Sequence, residues 1–176
     1  MDKIGIFCSA SNDIDPMYYN MAKEIGQWIG KSKKTLVYGG ANLGLMECLA
    51  HTVKDNGGNI IGVIPSILEE KGKVSTYIDQ LILTKSLSER KDKIIENAEI
   101  LIVLPGGIGT LDEAFHLMAQ LCLGYTQKKI IFYNEGGFFN KLLELMKEMK
   151  EKNFIRQPLN TYYKVACTLK ELTTLL

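Results

Sequence analysis

Short apolar runs alternate with segments of helical period along the whole chain. Ile4 to Cys8, Thr35 to Tyr38, Asn59 to Val63, Gln80 to Leu83, Ile100 to Leu104, Lys129 to Tyr133 and Lys164 to Cys167 each have the length and composition of a strand. Between the first two runs, Met17, Met21, Ile25 and Trp28 recur at spacings of four and three, the buried face of a helix that begins near Pro16. Leu45, Leu49 and Val53 repeat the pattern after the second run. Strands that alternate with helices in this way predict an α/β chain, a Rossmann-like three-layer fold in which a mainly parallel sheet of about seven strands is flanked by helices. Residues 1–176 read as a single α/β domain, since that length buries one full core and not two.

The polar breaks place the connections. Gly57-Gly58 and Asn134 to Gly137 read as turns, and Pro65 to Thr76, with Glu69, Glu70, Lys71, Gly72, Lys73 and Ser75, reads as one long polar loop. A loop of that length in a compact domain is usually functional or disordered, so it is either a partly mobile flap near a site or an inert surface connection. No apolar run approaches the length of a membrane span. Formal net charge is +1, which excludes the broad basic field of a nucleic-acid polymer binder but leaves room for a small anionic ligand. Cys8, Cys48, Cys122 and Cys167 form no Cys-x-x-Cys pair, and the start of the chain does not read as a signal peptide, so a cytoplasmic setting is expected. His51 and His116 lack a second ligand at metal spacing, so no metal site is predicted.

Candidate chemistry concentrates after the strand at Ile100. The run Leu104-Pro105-Gly106-Gly107-Ile108-Gly109-Thr110-Leu111-Asp112-Glu113 carries an apolar strand into a glycine-rich turn and then a helix start. Such a start offers free amides and a positive dipole end to an anion. Ser9, Gly39, Gly40 and Gly44 also follow strands, so all should gather on the edge of the sheet where ligands of α/β proteins bind. Neither glycine segment is a dinucleotide fingerprint or a P-loop. Glu113 admits two readings. Thr110 and Glu113 have the spacing of a capping box; alternatively the carboxylate addresses the sugar of a ligand whose phosphate occupies the helix start. Arg90 and Lys91 fall in the first turn after a cap at Ser86 or Ser88, where the helix dipole disfavours cations. Either an external anion resolves that conflict, or Glu89 and Asp92 neutralise the two cations on a solvated face, with Glu89 paired to Lys93. An exposed Arg90 would contribute little to stability.

The chain also resembles a known family. Pro105-Gly106-Gly107-x-Gly109-Thr110-x-x-Glu113, Gly39-Gly40 with Gly44-Leu45-Met46, the strand end Phe7-Cys8-Ser9-Ala10-Ser11 and Glu89-Arg90-Lys91 are similar, in order, to the motifs of the Lonely Guy phosphoribohydrolases. These remove the base from nucleoside 5′-monophosphates. The resemblance implies that Glu113 and Arg90 are catalytic, that Ser9, Gly39, Gly40, Lys91, Gly106, Gly107, Gly109 and Thr110 bind substrate, that no cofactor is used and that the chain forms a homodimer. The helix from Thr110 to Leu123 fits the last point, because Phe115, Leu117 and Met118 face too many directions for one sheet to cover. Departures stand at Glu47, Leu87-Ser88 and Gln120-Leu121-Cys122, which makes adenosine monophosphate a safer substrate than an isoprenylated cytokinin nucleotide. A non-catalytic nucleotide or cofactor carrier, like the molybdenum-cofactor carriers, is the competing expectation. Related chains are also labelled lysine decarboxylases, and no lysine and carboxylate setting for pyridoxal phosphate is recognisable in the sequence.

Overall fold

A computed structural model describes residues 1–176. The strands are β1 (Lys3–Phe7), β2 (Thr35–Tyr38), β3 (Asn59–Pro65), β4 (Gln80–Thr84), β5 (Ile100–Val103), β6 (Ile130–Tyr133) and β7 (Tyr163–Ala166). They form one sheet in the order β4-β3-β2-β1-β5-β6-β7, and every pairing is parallel. The helices are α1 (Pro16–Lys31), α2 (Gly44–Asp55), α3 (Ser66–Glu70), α4 (Leu87–Asn97), α5 (Ile108–Leu123), α6 (Asn140–Glu151), α7 (Leu159–Tyr162) and α8 (Leu169–Leu175).

Alternation along the strands builds the two cores. Ile4 and Ile6 of β1, Leu36 and Tyr38 of β2, and Ile100 and Ile102 of β5 face one side, where they meet Met21, Ile25, Leu45, Leu49 and Leu172 from α1, α2 and α8. Phe7, Val37, Leu101 and Val103 face the other, where Ile94, Ile95, Leu117, Met118, Met146 and Tyr162 come from α4, α5, α6 and α7. Burial on both faces explains the near-continuous apolar strands. The chain first winds from β1 out to β4. It then returns through α4, which packs against β1, β2, β3 and β4, to place β5 beside β1. Winding direction reverses at the β1–β5 junction, the position at which α/β sheets open a crevice beyond the carboxyl ends of their strands.

Several local expectations change. Residues 65–76 are not one open loop: Ser66–Glu70 forms α3, and Val74 makes an antiparallel bridge to Ala41. Asn42 reinforces this attachment, its backbone N–H donating to Lys73 O and its Nδ2 to Gly72 O, both at 3.1 Å. On α5, Leu117 and Met118 are buried within the chain, because α4 and α7 pack against α5 and Met146 of α6 joins the same core, whereas Phe115 remains 41% exposed.

Candidate active site

The two glycine turns differ in what their amides do. At the start of α2, Gly44 N–H donates to Asn12 Oδ1 at 2.8 Å and Leu45 N–H to Ser9 O at 3.0 Å, so that helix end is already satisfied. Gly44 has φ +57°, and a Cβ there would sit 2.5 Å from Ser11 O, so its glycine is required by the turn. Gly40, at φ +74°, likewise shapes the turn, and its carbonyl accepts from Ser75 N–H. The start of α5 is open. Its N-cap is Gly107, which makes no side-chain capping bond, and the amides of Ile108, Gly109 and Thr110 have no protein partner. A Cβ at Gly107 or Gly109 would meet nothing within 4 Å. The fold itself therefore does not need glycine there; the close approach of a ligand to the backbone would.

This geometry overturns the capping-box reading. Because α5 begins at Ile108, Thr110 lies inside its first turn, and its side chain packs beneath Gly106, where a Cβ would approach Thr110 Oγ1 to 2.1 Å. Glu113 is one turn further and 3% exposed. Its Oε1 accepts from Arg90 NH1 at 2.7 Å.

Arg90 reaches Glu113 because α4 crosses behind the sheet. The helix is capped by Ser86, whose Oγ accepts from Glu89 N–H at 3.1 Å. Arg90 Nε donates to Val63 O at 3.1 Å, and the guanidinium lies so close over Gly39 that a Cβ there would come within 1.8 Å of NH2. Gly39 is the clearance for Arg90. The conflict of two cations near a helix start is resolved by protein carboxylates, though not those expected. Glu113 takes Arg90, and Asp112 takes Lys91, whose Nζ lies 2.8 Å from both of its oxygens. Glu89 instead accepts from Lys85 N–H, Lys93 pairs with Glu96, and Asp92 faces His116 and Gln120.

These groups open onto a cavity of about 350 Å³ at the β1–β5 crevice. Ser9, Gly39, Arg90, Gly107, Gly109, Thr110 and Glu113 line it; Gly40, Gly106 and Lys91 do not. Cys8, Ala10, Ala41, Met46 and Leu68 complete the lining. Sequence reasoning missed these five because apolar side chains read as core. For four of them the available signal was position, Cys8 and Ala10 just after β1, Ala41 after β2 and Met46 in the first turn of α2; Leu68, in α3, carried none. Leu68 brings α3 to the mouth, so part of the 65–76 connection borders the cavity.

Electrostatics set Glu113 apart. Burial raises its carboxyl from an ordinary 4.5 to about 7, against the lowering influence of the Arg90 guanidinium. Burial likewise raises the Cys8 thiol above its usual range, so it stands as a neutral wall rather than a nucleophile. An acid poised near neutrality beside an anion-ready helix start can serve as acid or base at a phosphorylated substrate.

Comparison with known proteins agrees with this geometry. A family model described as possible lysine decarboxylase matches residues 46–176. No lysine stands among the cavity walls, so they offer no amine for a pyridoxal phosphate Schiff base. A probable cytokinin riboside 5′-monophosphate phosphoribohydrolase of Oryza sativa subsp. japonica is 31% identical over 171 residues, 97% of this chain and 74% of the relative. A cytokinin riboside 5′-monophosphate phosphoribohydrolase of Rhodococcoides fascians is 31% identical over 153 residues, 86% of this chain and 77% of the relative. Among solved structures, the molybdenum cofactor carrier protein of Chlamydomonas reinhardtii superposes with a TM-score of 0.73 at 22% identity, covering 98% of this chain and 94% of that one. The molybdenum cofactor binding protein of Rippkaea orientalis gives 0.71 at 20% identity, with coverage of 98% and 93%. The structural likenesses establish the shared α/β fold; the family match and the curated relatives establish that this chain belongs to the Lonely Guy family.

Proposed function

We propose that the protein hydrolyses the N-glycosidic bond of nucleoside 5′-monophosphates, adenosine monophosphate or a cytokinin riboside 5′-monophosphate, to free base and ribose 5-phosphate. The observation that carries the reading is the buried Arg90–Glu113 pair in the wall of a cavity that ends at the unpaired amides of α5. In this reading, the amides of Ile108, Gly109 and Thr110 hold the phosphate, which sets the ribose beside Glu113. As the bond from the anomeric carbon to the base nitrogen breaks, positive charge develops on the sugar ring and the Glu113 carboxylate stabilises it. Water adds its oxygen to the anomeric carbon, Glu113 takes the water proton, and the proton is passed to the departing base. Arg90 holds Glu113 in place through NH1, and its NH2 lies over Gly39 at the cavity wall.

The same reading makes the molecule a homodimer. An apolar groove of about 590 Å³ runs between α5 and the end of α6, with Phe115, Leu123, Met149 and Phe154 among its exposed walls. A second copy seated there would cover a patch that monomers seldom leave open. Four free cysteines fit a reducing, cytoplasmic setting. The test of the reaction is incubation with adenosine monophosphate, with detection of free adenine and ribose 5-phosphate. Binding without base release would favour the carrier reading instead.

A further inference from the structure

The sequence neighbours of the reactive pair are themselves joined. Arg90 meets Glu113, and Lys91 Nζ donates to both carboxylate oxygens of Asp112 at 2.8 Å. Two consecutive residues of α4 thus grip two consecutive residues of α5. Lys91 is 9% exposed and lies outside the cavity walls, while the Asp112 side chain is about half exposed. An ammonium buried against both oxygens of one carboxylate has its charge met inside the protein, and taking it to a substrate phosphate would leave Asp112 without its partner. Consecutive helical residues point about 100° apart, so anchoring both fixes the rotation of a helix about its axis, as one contact cannot.

We propose that Lys91 and Asp112 are positioning residues, a clasp that sets the rotation of α4 against α5 so that the Arg90 guanidinium and the Glu113 carboxylate hold their reactive register. The kinetic part of this inference rests on the phosphoribohydrolase reading; the geometric part does not. The clasp also acts on the field at Glu113. The groups facing that carboxyl are Arg90 and Lys91 from α4, Asp112 from its own helix and the Cys8 thiol from the end of β1. Asp112 raises its pKa and Lys91 lowers it, so loss of either half shifts the titration in opposite directions.

The test compares the full chain with Lys91→Met, Asp112→Asn, the double variant and Lys91→Arg. One readout is base release from adenosine monophosphate as a function of pH. The other is the titration of the Glu113 carboxyl carbon followed by NMR, which needs no turnover. Each single variant is expected to lower kcat about 10- to 100-fold, the scale of misplacing a reacting group by an ångström, with KM little changed. The double variant should lose no more than the worse single, and Lys91→Arg should recover most of the rate. The Glu113 titration should move to lower pH in Asp112→Asn and to higher pH in Lys91→Met. Changes confined to thermal stability, with kcat and titration unmoved, would overturn the clasp. So would a rise in KM at unchanged kcat in Lys91→Met alone, which would make Lys91 a phosphate ligand. A wild-type chain that releases no base would defeat the functional reading and leave the NMR comparison to decide the clasp. Should Lys91→Met fail to fold, Asp112→Asn and Lys91→Arg carry the same comparison.

Discussion

A carboxylic acid held near neutrality is useful only if one of its two forms does the work. If ionised Glu113 is the form that steadies the ribose cation and takes the water proton, kcat/KM should rise with pH through about 7, the value to which burial raises this group. Glu113→Gln should keep the fold, lower base release about 100-fold or more and abolish that limb, as a pH series of adenine release will show. Arg90 departs from what an exposed first-turn cation would do. Its side chain is mostly buried, and Arg90→Ala would leave Glu113 enclosed without a counter-charge, a loss of about 3–5 kcal/mol for a buried pair. The sign with pH follows from linkage. Because folding raises the Glu113 pKa, the stability contributed by its protonation is fully present below about 4.5 and is lost as pH rises through about 7. Arg90→Ala removes the group that counters this loss. The variant should be much less stable than wild type at pH 8 and closer to it at pH 5, a difference that urea denaturation at the two values measures.

Among the elements, the five inner strands were legible from sequence because burial on both faces of a parallel sheet writes them as short apolar runs; the edge strands β4 and β7 are partly exposed, yet they too lie where apolar runs stand. The start of α5 was not. Thr110 and Glu113 have capping spacing, but glycine has no side chain to announce a cap, and the helix in fact opens at Gly107. The α3 turn was hidden for a related reason: five residues with no buried side chain carry no period. The Arg90–Glu113 pair joins residues 23 positions apart on different helices, which no local pattern encodes, so the two residues were individually visible and their contact was not. At the scale of the α5 start, Gly109→Ala should fold at least as well as wild type, since alanine is the better helix residue and the space is open. Its methyl would nonetheless stand where phosphate approaches. The variant should raise KM for adenosine monophosphate and narrow the advantage of the nucleotide over adenosine, which steady-state kinetics on the two substrates will reveal.

For the molecule as a whole, the groove beside α5 predicts assembly. Light scattering should give a dimer of about 40 kDa, twice the 19.7 kDa chain, and Phe115→Glu, placing a charge on the 41% exposed ring position, should yield monomers that remain folded. A folded dimer of that variant would move the interface elsewhere. The return path of α4 carries a different consequence, one that concerns the order of events during folding. Everything from β1 to β4 can pair by adding each strand to the outer edge of the last, but Glu113 lies beyond β5, on the opposite side of β1. Until that side closes, Arg90 has only the Val63 carbonyl and no carboxylate partner, and β1 presents a bare edge. A nascent or truncated chain that stops short of β5 therefore holds half of a charge pair, and competence at the site marks the moment when the two halves of the sheet have met.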